Sequence, residues 1–351
     1  KLAERGLYTT DPNPRVGCVV VRDGVVVGEG WHQRAGEPHA EVHALRVAGD
    51  AARGATVYVT LEPCSHHGRT PPCAEALADA GVHRVVAAAV DPNPEVAGTG
   101  LDHLRAAGIE TASGLMTEAA WALNPGFRKR MSRGLPYVRV KLAASLDGRT
   151  AMASGESKWI TGAAARADVH RLRARSSAIV TGIGTVLADD PRLTARDVGG
   201  EVLQPRRVIL DSWLRTPPRA QVLQGGATIL YSQPDEERLA ALDAAGAELW
   251  PMRPGATGRV EPVEALAALA RHEVNEIIVE AGPTLSGALM QEGLVDELVV
   301  YLAPHLMGHE GNPLLRLPGL SSMADRVPVS VVDMRRIGED LRIVARPGND
   351  D

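Results

Sequence analysis

One histidine, one glutamate and two cysteines carry the densest chemical information in this chain: His39-Ala40-Glu41, then Pro63-Cys64, then Cys73. An imidazole and two thiolates supply three ligands for a tetrahedral zinc ion and leave a fourth position for water. Zinc acidifies a bound water towards neutrality, so hydroxide becomes available without a strong base. Glu41, two residues beyond the ligand histidine, stays off the metal and can move protons, first as a base and then as an acid. The order H-x-E, then P-C, then a downstream cysteine is the arrangement that removes an amino group hydrolytically from a heterocyclic base.

Other readings of these residues are weaker. A structural zinc normally has four protein ligands, and His43, four residues after His39, is the tempting fourth. The order His-Ala-Glu-Val-His is not H-E-x-x-H, so the metalloprotease pattern is absent, and His43 reads as a satisfied helix histidine. His39 follows Pro38, a residue suited to a helix entry. Cys64 and Cys73 each lie where a loop feeds a helix, a setting that lowers thiol pKa values and favours the thiolate that zinc requires. The segment between them, Ser65-His66-His67-Gly68-Arg69-Thr70-Pro71-Pro72, is longer than the C-x-x-C of nucleic-acid deaminases. It brings His66 and Arg69 near the metal, where they could hold a polar, anionic substrate. The bland alternative is a solvated turn shaped by Gly68 and the prolines. Cys18 sits in an apolar strand pattern and reads as core.

Two glycine turns further along could receive a phosphate. Gly182-Ile183-Gly184-Thr185 follows a strand pattern, but Leu187 stands where G-x-G-x-x-G needs its third glycine, so the dinucleotide fingerprint fails. Glu280-Ala281-Gly282-Pro283-Thr284-Leu285-Ser286-Gly287-Ala288 follows a strand and leads into a helical stretch, whose first amides could cradle a phosphate. Taken alone it could equally be a packing turn. Arg173 falls in the basic run His170 to Arg175, where a solvated helix face is the usual explanation, although a guanidinium fork suits phosphate.

These residues must be positioned by alternating strands and helices. Val16 to Val21 and Val25 to Gly28 flank Asp23-Gly24, a two-residue hairpin signal. A helix from His39 to about Ala48, a strand Ala55 to Leu61, a helix from about Pro72 to Ala80, a strand Val82 to Val90 and a helix Leu101 to Ala107 follow. This alternation predicts a three-layer α/β domain. Pro and Gly punctuation from Asn124 to Pro136 marks a boundary, giving domains over 1–130 and 131–351. In the second, strands are expected at Tyr137 to Ala144, Ala178 to Val180, Arg207 to Asp211, Thr228 to Tyr231, Glu276 to Glu280 and Glu297 to Leu302. Val329 to Met334 and Leu341 to Ala345 read as a closing antiparallel hairpin.

Composition narrows the partners. At 351 residues, two domains are expected. With 38 basic against 43 acidic residues the formal charge is −5, a poor match to a generic nucleic-acid binder. A single phenylalanine, Phe127, weakens any platform for stacked bases. A bound phosphate must therefore be met by local arginines and backbone amides. Three cysteines, two of them in the metal motif, suit a reducing, cytoplasmic compartment. No signal peptide and no stretch long enough to cross a membrane is read.

The run His39-Ala40-Glu41-Val42-His43-Ala44-Leu45, with Glu62-Pro63-Cys64-Ser65-His66-His67-Gly68-Arg69-Thr70-Pro71-Pro72-Cys73, resembles the bifunctional riboflavin-biosynthesis deaminase/reductase family. Asp11-Pro12-Asn13-Pro14-Arg15-Val16-Gly17-Cys18 is similar to that family's N-terminal signature. Lys141-Leu142-Ala143-Ala144-Ser145-Leu146-Asp147-Gly148-Arg149, Ser157-Lys158-Trp159-Ile160-Thr161 and Val186-Leu187-Ala188-Asp189-Asp190-Pro191-Arg192-Leu193-Thr194 are similar to its reductase half. Similarity runs to about residue 320, nearly the whole chain. The resemblance implies a cytidine-deaminase-like zinc domain followed by a dihydrofolate-reductase-like α/β domain, with Zn2+ and NADPH as cofactors.

By the same resemblance His39, Cys64 and Cys73 bind zinc, Glu41 carries protons, and Asn13, His32, His66 and Arg69 contact the pyrimidine or its ribose phosphate. Ala143, Trp159, Thr185, Asp189, Ser212 and the turn Gly282-Pro283-Thr284-Leu285-Ser286-Gly287-Ala288 are expected to hold NADPH. Ser157, Arg173, Leu193, Arg196 and Glu280 are expected to hold the ribosyl substrate, with Lys141 and Glu280 assisting reduction. An individual Lys or Glu at a strand end is otherwise a surface ion-pair member. The expected partner is a small phosphorylated pyrimidine, with no nucleic acid and no membrane, in a homo-oligomer that the resemblance makes a dimer. The rival readings are a nucleoside or tRNA deaminase with an unrelated C-terminal domain, and a zinc-stabilised binding module without catalysis.

Overall fold

The structure, a computed structural model, describes residues 1–66, 71–94 and 96–348. The chain forms two compact units, Lys1–Leu135 and Pro136–Asp351.

The first unit opens with the hairpin of β1 (Gly17–Arg22) and β2 (Val25–Trp31). Its turn, Asp23-Gly24, takes φ of +51° and +77°, the left-handed pair that this tight turn requires. Then follow α1 (Ala40–Ala48), β3 (Thr56–Val59), α2 (Cys73–Asp79), β4 (Arg84–Ala87), α3 (Thr99–Ala106), β5 (Glu110–Ser113), α4 (Thr117–Leu123) and α5 (Pro125–Arg133). The five strands form one sheet in the order β2-β1-β3-β4-β5.

Alternate residues on β1, β3 and β4 (Cys18 and Val20, Val57 and Val59, Val85 and Ala87) share one core with Ala40, Ala44 and Ala48 of α1 and with Leu77, Leu101 and Leu104. Three alanines spaced by four residues make the narrow apolar stripe of a helix that must lie close to its sheet. Glycines on β2 allow that approach. A Cβ at Gly28 would lie 2.3 Å from the Ala44 carbonyl oxygen, and one at Gly30 2.4 Å from that of Ala40. Helices α4 and α5 join through a smaller cluster around Leu61, Ala89 and Ala120.

The second unit contains β6 (Tyr137–Ser145), β7 (Arg149–Ala151), α6 (Ala163–Ala174), β8 (Ala178–Gly182), α7 (Ile183–Asp189), β9 (Arg206–Leu210), β10 (Ala227–Tyr231), α8 (Glu236–Ala244) and β11 (Ala247–Pro251). It continues with α9 (Pro262–Arg271), β12 (Glu276–Val279), α10 (Pro283–Gln291), β13 (Glu297–Ala303), β14 (Asn312–Pro313), β15 (Val329–Ile337) and β16 (Asp340–Pro347). Nine strands lie in the order β11-β10-β9-β8-β12-β6-β13-β16-β15. The run from β11 to β13 is parallel, and β16 and β15 add the antiparallel hairpin. Strand β12 comes late in the chain but sits between β8 and β6, so the strand order reverses there. Outside the carboxyl ends at such a reversal is where open α/β sheets bind ligands.

Residues 130 and 131, where the sequence reading changed domain, lie inside α5. The sequence pattern marks no strand at β5, β7, β11 or β14 and no helix at α4, α7 or α9.

Candidate active sites

In the first unit, His39 is the residue that caps α1, Cys73 is the first residue of α2, and Cys64 lies in the loop after β3. His39 Nδ1 is 3.5 Å from Cys64 Sγ and 3.3 Å from Cys73 Sγ. Donors on a tetrahedral zinc, at ordinary Zn–S and Zn–N lengths, are about 3.6 Å apart. The three donor atoms all lie within 4.8 Å of one another. His39, Cys64 and Cys73 are thus positioned to bind zinc.

Electrostatics agree with that donor set. The Cys73 thiol, then His39 and the Cys73 backbone N–H (3.3 Å), hydrogen-bond to Cys64 and pull its thiol down to about 4 against the effect of burial. The same pairing, with burial and Glu41, holds the Cys73 thiol above the ordinary range. Bringing both to the thiolate is what a cation between them does.

Glu41 is in the first turn of α1 and 3% exposed, and its buried Oε2 has no hydrogen-bond partner. Burial pushes its carboxyl up to about 7, with His39 opposing. The His32 ring stands edge-on to His39, centroids 5.1 Å apart. His32 Nδ1 is 3.2 Å from the Pro38 carbonyl oxygen, and Asn13 Nδ2 is 3.0 Å from His32 Nε2. With Nδ1 protonated and donating to Pro38, Nε2 accepts from Asn13. Asn13 and His32 are therefore brought beside the donor cluster. His66 is exposed and acts electrostatically on Asp91. Arg69 lies outside the described residues.

Two acids near the site had no role in the sequence reading. Glu62, 4% exposed, accepts from four backbone amides: Asp91 (3.0 Å), Gly98 (2.9 Å), Gly100 (2.9 Å) and Leu101 (3.2 Å). It ties the loop carrying Cys64 to the start of α3. A Cβ at Gly100 would lie 1.9 Å from the Pro63 carbonyl oxygen, so only glycine lets α3 approach this closely. Asp91, held at about 6 chiefly by burial, faces Cys64 and His66. Each closes an apolar strand pattern, and Glu62 also opens the motif that carries Cys64 and Cys73, but neither signal gave a role.

In the second unit a cavity of about 1140 Å³ opens at the carboxyl ends of β6, β8, β9 and β12. A cleft for one small ligand is about 300–1,000 Å³, so this one has room for two. Lys141, Ala143, Ser157, Trp159, Arg173, Thr185, Asp189, Leu193, Arg196, Ser212 and Glu280 all line it, as do Gly282, Pro283, Thr284, Leu285 and Ala288. Ser286 and Gly287 do not. They fall on the inner face of α10, where Ser286 Oγ donates to the Ala281 carbonyl (3.3 Å) and Gly287 packs against the Arg316 backbone.

Arg173 grips Glu280 with both arms, Nε to Oε1 at 2.5 Å and Nη2 to Oε2 at 2.9 Å. Burial alone would raise the Glu280 pKa, but Arg173, then Lys141 and His170, take it below the ordinary value. Lys141 is lowered by burial, with Glu280 opposing. At the rim, Lys158 pairs with Asp189 (3.6 Å) beside Trp159, which is 71% exposed. Room for two ligands, a glycine turn opening α10 and buried cations fit a phosphorylated nucleotide and its co-substrate.

Comparison with known proteins bears on both halves. The family described as "RibD C-terminal domain" matches residues 136–343, and the one described as "Cytidine and deoxycytidylate deaminase zinc-binding region" matches residues 1–89. The riboflavin biosynthesis protein RibD of Escherichia coli is 53% identical over 97% of this chain and 95% of its own length. That of Aquifex aeolicus is 41% identical over 97% of this chain and 94% of its own. The solved structure of Acinetobacter baumannii RibD superposes with a TM-score of 0.92 at 48% identity, covering 99% of this chain and 96% of that one. The deaminase/reductase of Thermotoga maritima gives 0.86 at 33% identity, over 99% of this chain and 96% of that one. With both halves matched and identity this high from end to end, the chain belongs to the RibD family of bifunctional, zinc- and NADPH-dependent deaminase/reductases of riboflavin biosynthesis.

Proposed function

We propose that the first unit hydrolyses the 2-amino group of 2,5-diamino-6-ribosylamino-4(3H)-pyrimidinone 5′-phosphate. The second then reduces the ribosyl side chain of the product, 5-amino-6-(5-phosphoribosylamino)uracil, to ribityl. The observation that carries the reading is the donor cluster His39, Cys64 and Cys73 with the buried, partly unbonded carboxylate of Glu41 beside it.

When bound, zinc supplies the Lewis acidity that makes hydroxide available near neutral pH. Glu41 accepts the water's proton at Oε2 and delivers it to the departing nitrogen, so that water adds and ammonia leaves. Asn13, held through its amide nitrogen by His32, keeps its carbonyl oxygen for the ring, and the ribose phosphate is assigned to His66 and Arg69.

In the second unit NADPH, when bound, supplies hydride. The ribose must first open to an imine, its ring oxygen taking a proton. The anomeric carbon then accepts the hydride, the C=N electron pair moves to nitrogen, and nitrogen takes a proton. In this reading Lys141 gives that proton, and Glu280, paired with Arg173, balances the developing charge. The first amides of α10 hold a phosphate of the cofactor. Ala143, Trp159, Thr185, Asp189 and Ser212 hold the rest of it, and Ser157, Leu193 and Arg196 the substrate.

The three free cysteines support a cytoplasmic setting. Among the described residues, no helix is long and apolar enough to cross a membrane. Strand β15 is a sheet edge with Val329, Val331, Val332 and Met334 exposed. Such an edge invites pairing, and we assign it to a second copy of the chain. Val331→Glu should halve the mass measured by light scattering, and an unchanged mass would remove this edge from the assembly.

Supplying the diamino substrate with and without NADPH, and weighing the products, tests the whole reading. The deaminated compound alone, converted to the reduced one on adding NADPH, is expected. Turnover confined to cytidine or adenosine-containing RNA would overturn it.

A further inference from the structure

The cavity of the second unit runs beyond the end of β9 to Trp213, Arg215 and Arg259, which have no part in the reading above. We propose that Arg215 and Arg259 form the subsite for the 2′-phosphate of NADPH and make the reductase selective for NADPH over NADH. This rests on the reductase reading of the second unit.

In an open parallel sheet a dinucleotide lies across the carboxyl ends of the strands, and the ribose 2′ position is read near the end of a neighbouring strand. Strand β9 neighbours β8, and both carboxyl ends line the cavity. At such a place a free carboxylate favours the bare diol of NADH, whereas an arginine accommodates the 2′-phosphate. The acid following β9 is Asp211. It is fully buried, and its Oδ2 accepts from Thr216 N (2.7 Å) and Thr216 Oγ1 (2.8 Å). It is not among the residues lining the cavity, so no carboxylate from this strand end is offered to a diol.

Cations stand there instead. The guanidinium carbons of Arg215 and Arg259 each lie 5.8 Å from the Trp213 ring. The Arg215 Nε has only Asp211 Oδ1 as a carboxylate neighbour, at 3.9 Å. The Arg259 guanidinium makes no ion pair or hydrogen bond with any described residue. Two like charges in the wall of one cavity and at one indole favour an anionic ligand there. The guanidinium fork matches phosphate oxygens.

The loop that carries Arg259 is held in place. Ser212 Oγ accepts from Val260 N (2.9 Å), and Ser232 Oγ (2.8 Å) and Gln233 Nε2 (3.0 Å) both donate to the Gly258 carbonyl. The β9 and β10 ends therefore hold both arginines at the Trp213 ring and in the wall of one cavity. The Ser212 hydroxyl, expected to touch the cofactor, here positions Arg259.

Calorimetric titration of full-length protein, and of its Arg215→Ala and Arg259→Ala variants, with NADP+, NAD+, 2′,5′-ADP and 5′-AMP tests the assignment. Each substitution should weaken NADP+ and 2′,5′-ADP by about tenfold or more and leave NAD+ and 5′-AMP within about twofold, with KM for NADPH rising and kcat held. Arg259→Lys should recover part of the loss. Equal weakening of NADP+ and NAD+, or no weakening of either, would overturn the subsite alone. Failure of the unsubstituted protein to bind NADP+ or 2′,5′-ADP would instead sink the reductase reading beneath it.

Discussion

A carboxylate buried beside two thiols and an imidazole, with one oxygen unbonded, is costly unless it does chemistry. Glu41 is that residue. Glu41→Gln keeps the shape and every metal donor but removes the proposed proton carrier. Deamination should fall by about 10²–10⁴-fold, while zinc content by atomic absorption and reduction of the deaminated intermediate stay as they were. Loss of zinc along with activity would make Glu41 a support for the metal site instead. Glu280 carries a different, pH-dependent consequence. Its folded pKa is depressed below the ordinary 4.5. Its contribution to stability is therefore complete above about that pH and is lost as pH falls through the lower folded value. Glu280→Gln leaves Arg173 and Lys141 without their counter-charge, a loss of about 3–5 kcal/mol for a buried pair. The thermal midpoint of the second unit should drop at neutral pH, and the unsubstituted protein's decline on the acid side should become shallower in the variant. Parallel acid profiles for the two proteins would count against the pairing.

At the scale of elements, the deaminase site depends on how closely α1 lies on β2. A methyl at Gly30 would meet the Ala40 carbonyl oxygen at 2.4 Å and the Ala44 nitrogen at 2.6 Å. Both are backbone, so no rotamer change relieves the contact. Gly30→Ala should destabilise the first unit by about 1–3 kcal/mol and reduce deamination, since His39 and Glu41 ride on α1. Its signature is a lowered unfolding midpoint with NADPH-dependent reduction intact, and an unshifted midpoint would mean that α1 has room to move. Elements with strong local signals were legible from sequence: the Asp23-Gly24 hairpin, the alanine stripe of α1 and the buried strands β6, β8 and β12. Two of the strands passed over, β5 and β11, are the sheet edges of their parallel regions; β7 and β14 are only three and two residues long. The two edges are partly exposed, so no apolar run announced them. Helix α5 read as loop punctuation, although Pro125 at its first position and Gly134 at φ +66° are ordinary start and stop signals. The zinc donors were legible because the motif is local. Glu62 was not, because its partners are backbone amides 29 to 39 residues away, and an amide leaves no mark in sequence. The reductase cavity was legible only through resemblance. Its walls come from strands that become neighbours when β12 inserts between β8 and β6.

At the scale of the molecule, each unit has its own core and its own chemistry. All three zinc donors lie in Lys1–Leu135, and every residue lining the reductase cavity lies in Pro136–Asp351. Joining the two on one chain raises the local concentration of the intermediate. It does not require that either site need the other. Removing zinc with a chelator should therefore abolish deamination and leave reduction of supplied 5-amino-6-(5-phosphoribosylamino)uracil unchanged. Calorimetry gives a second view, because a ligand stabilises only the unit that binds it. At a hundredfold excess over its dissociation constant a ligand contributes about 2.7 kcal/mol, enough to move one unfolding transition by several degrees. Chelation should lower the transition of the first unit alone, and NADP+ should raise that of the second alone. If chelation also slowed reduction, or if either ligand moved both transitions, the units would be coupled, and the chain would be one cooperative catalyst rather than two joined in series.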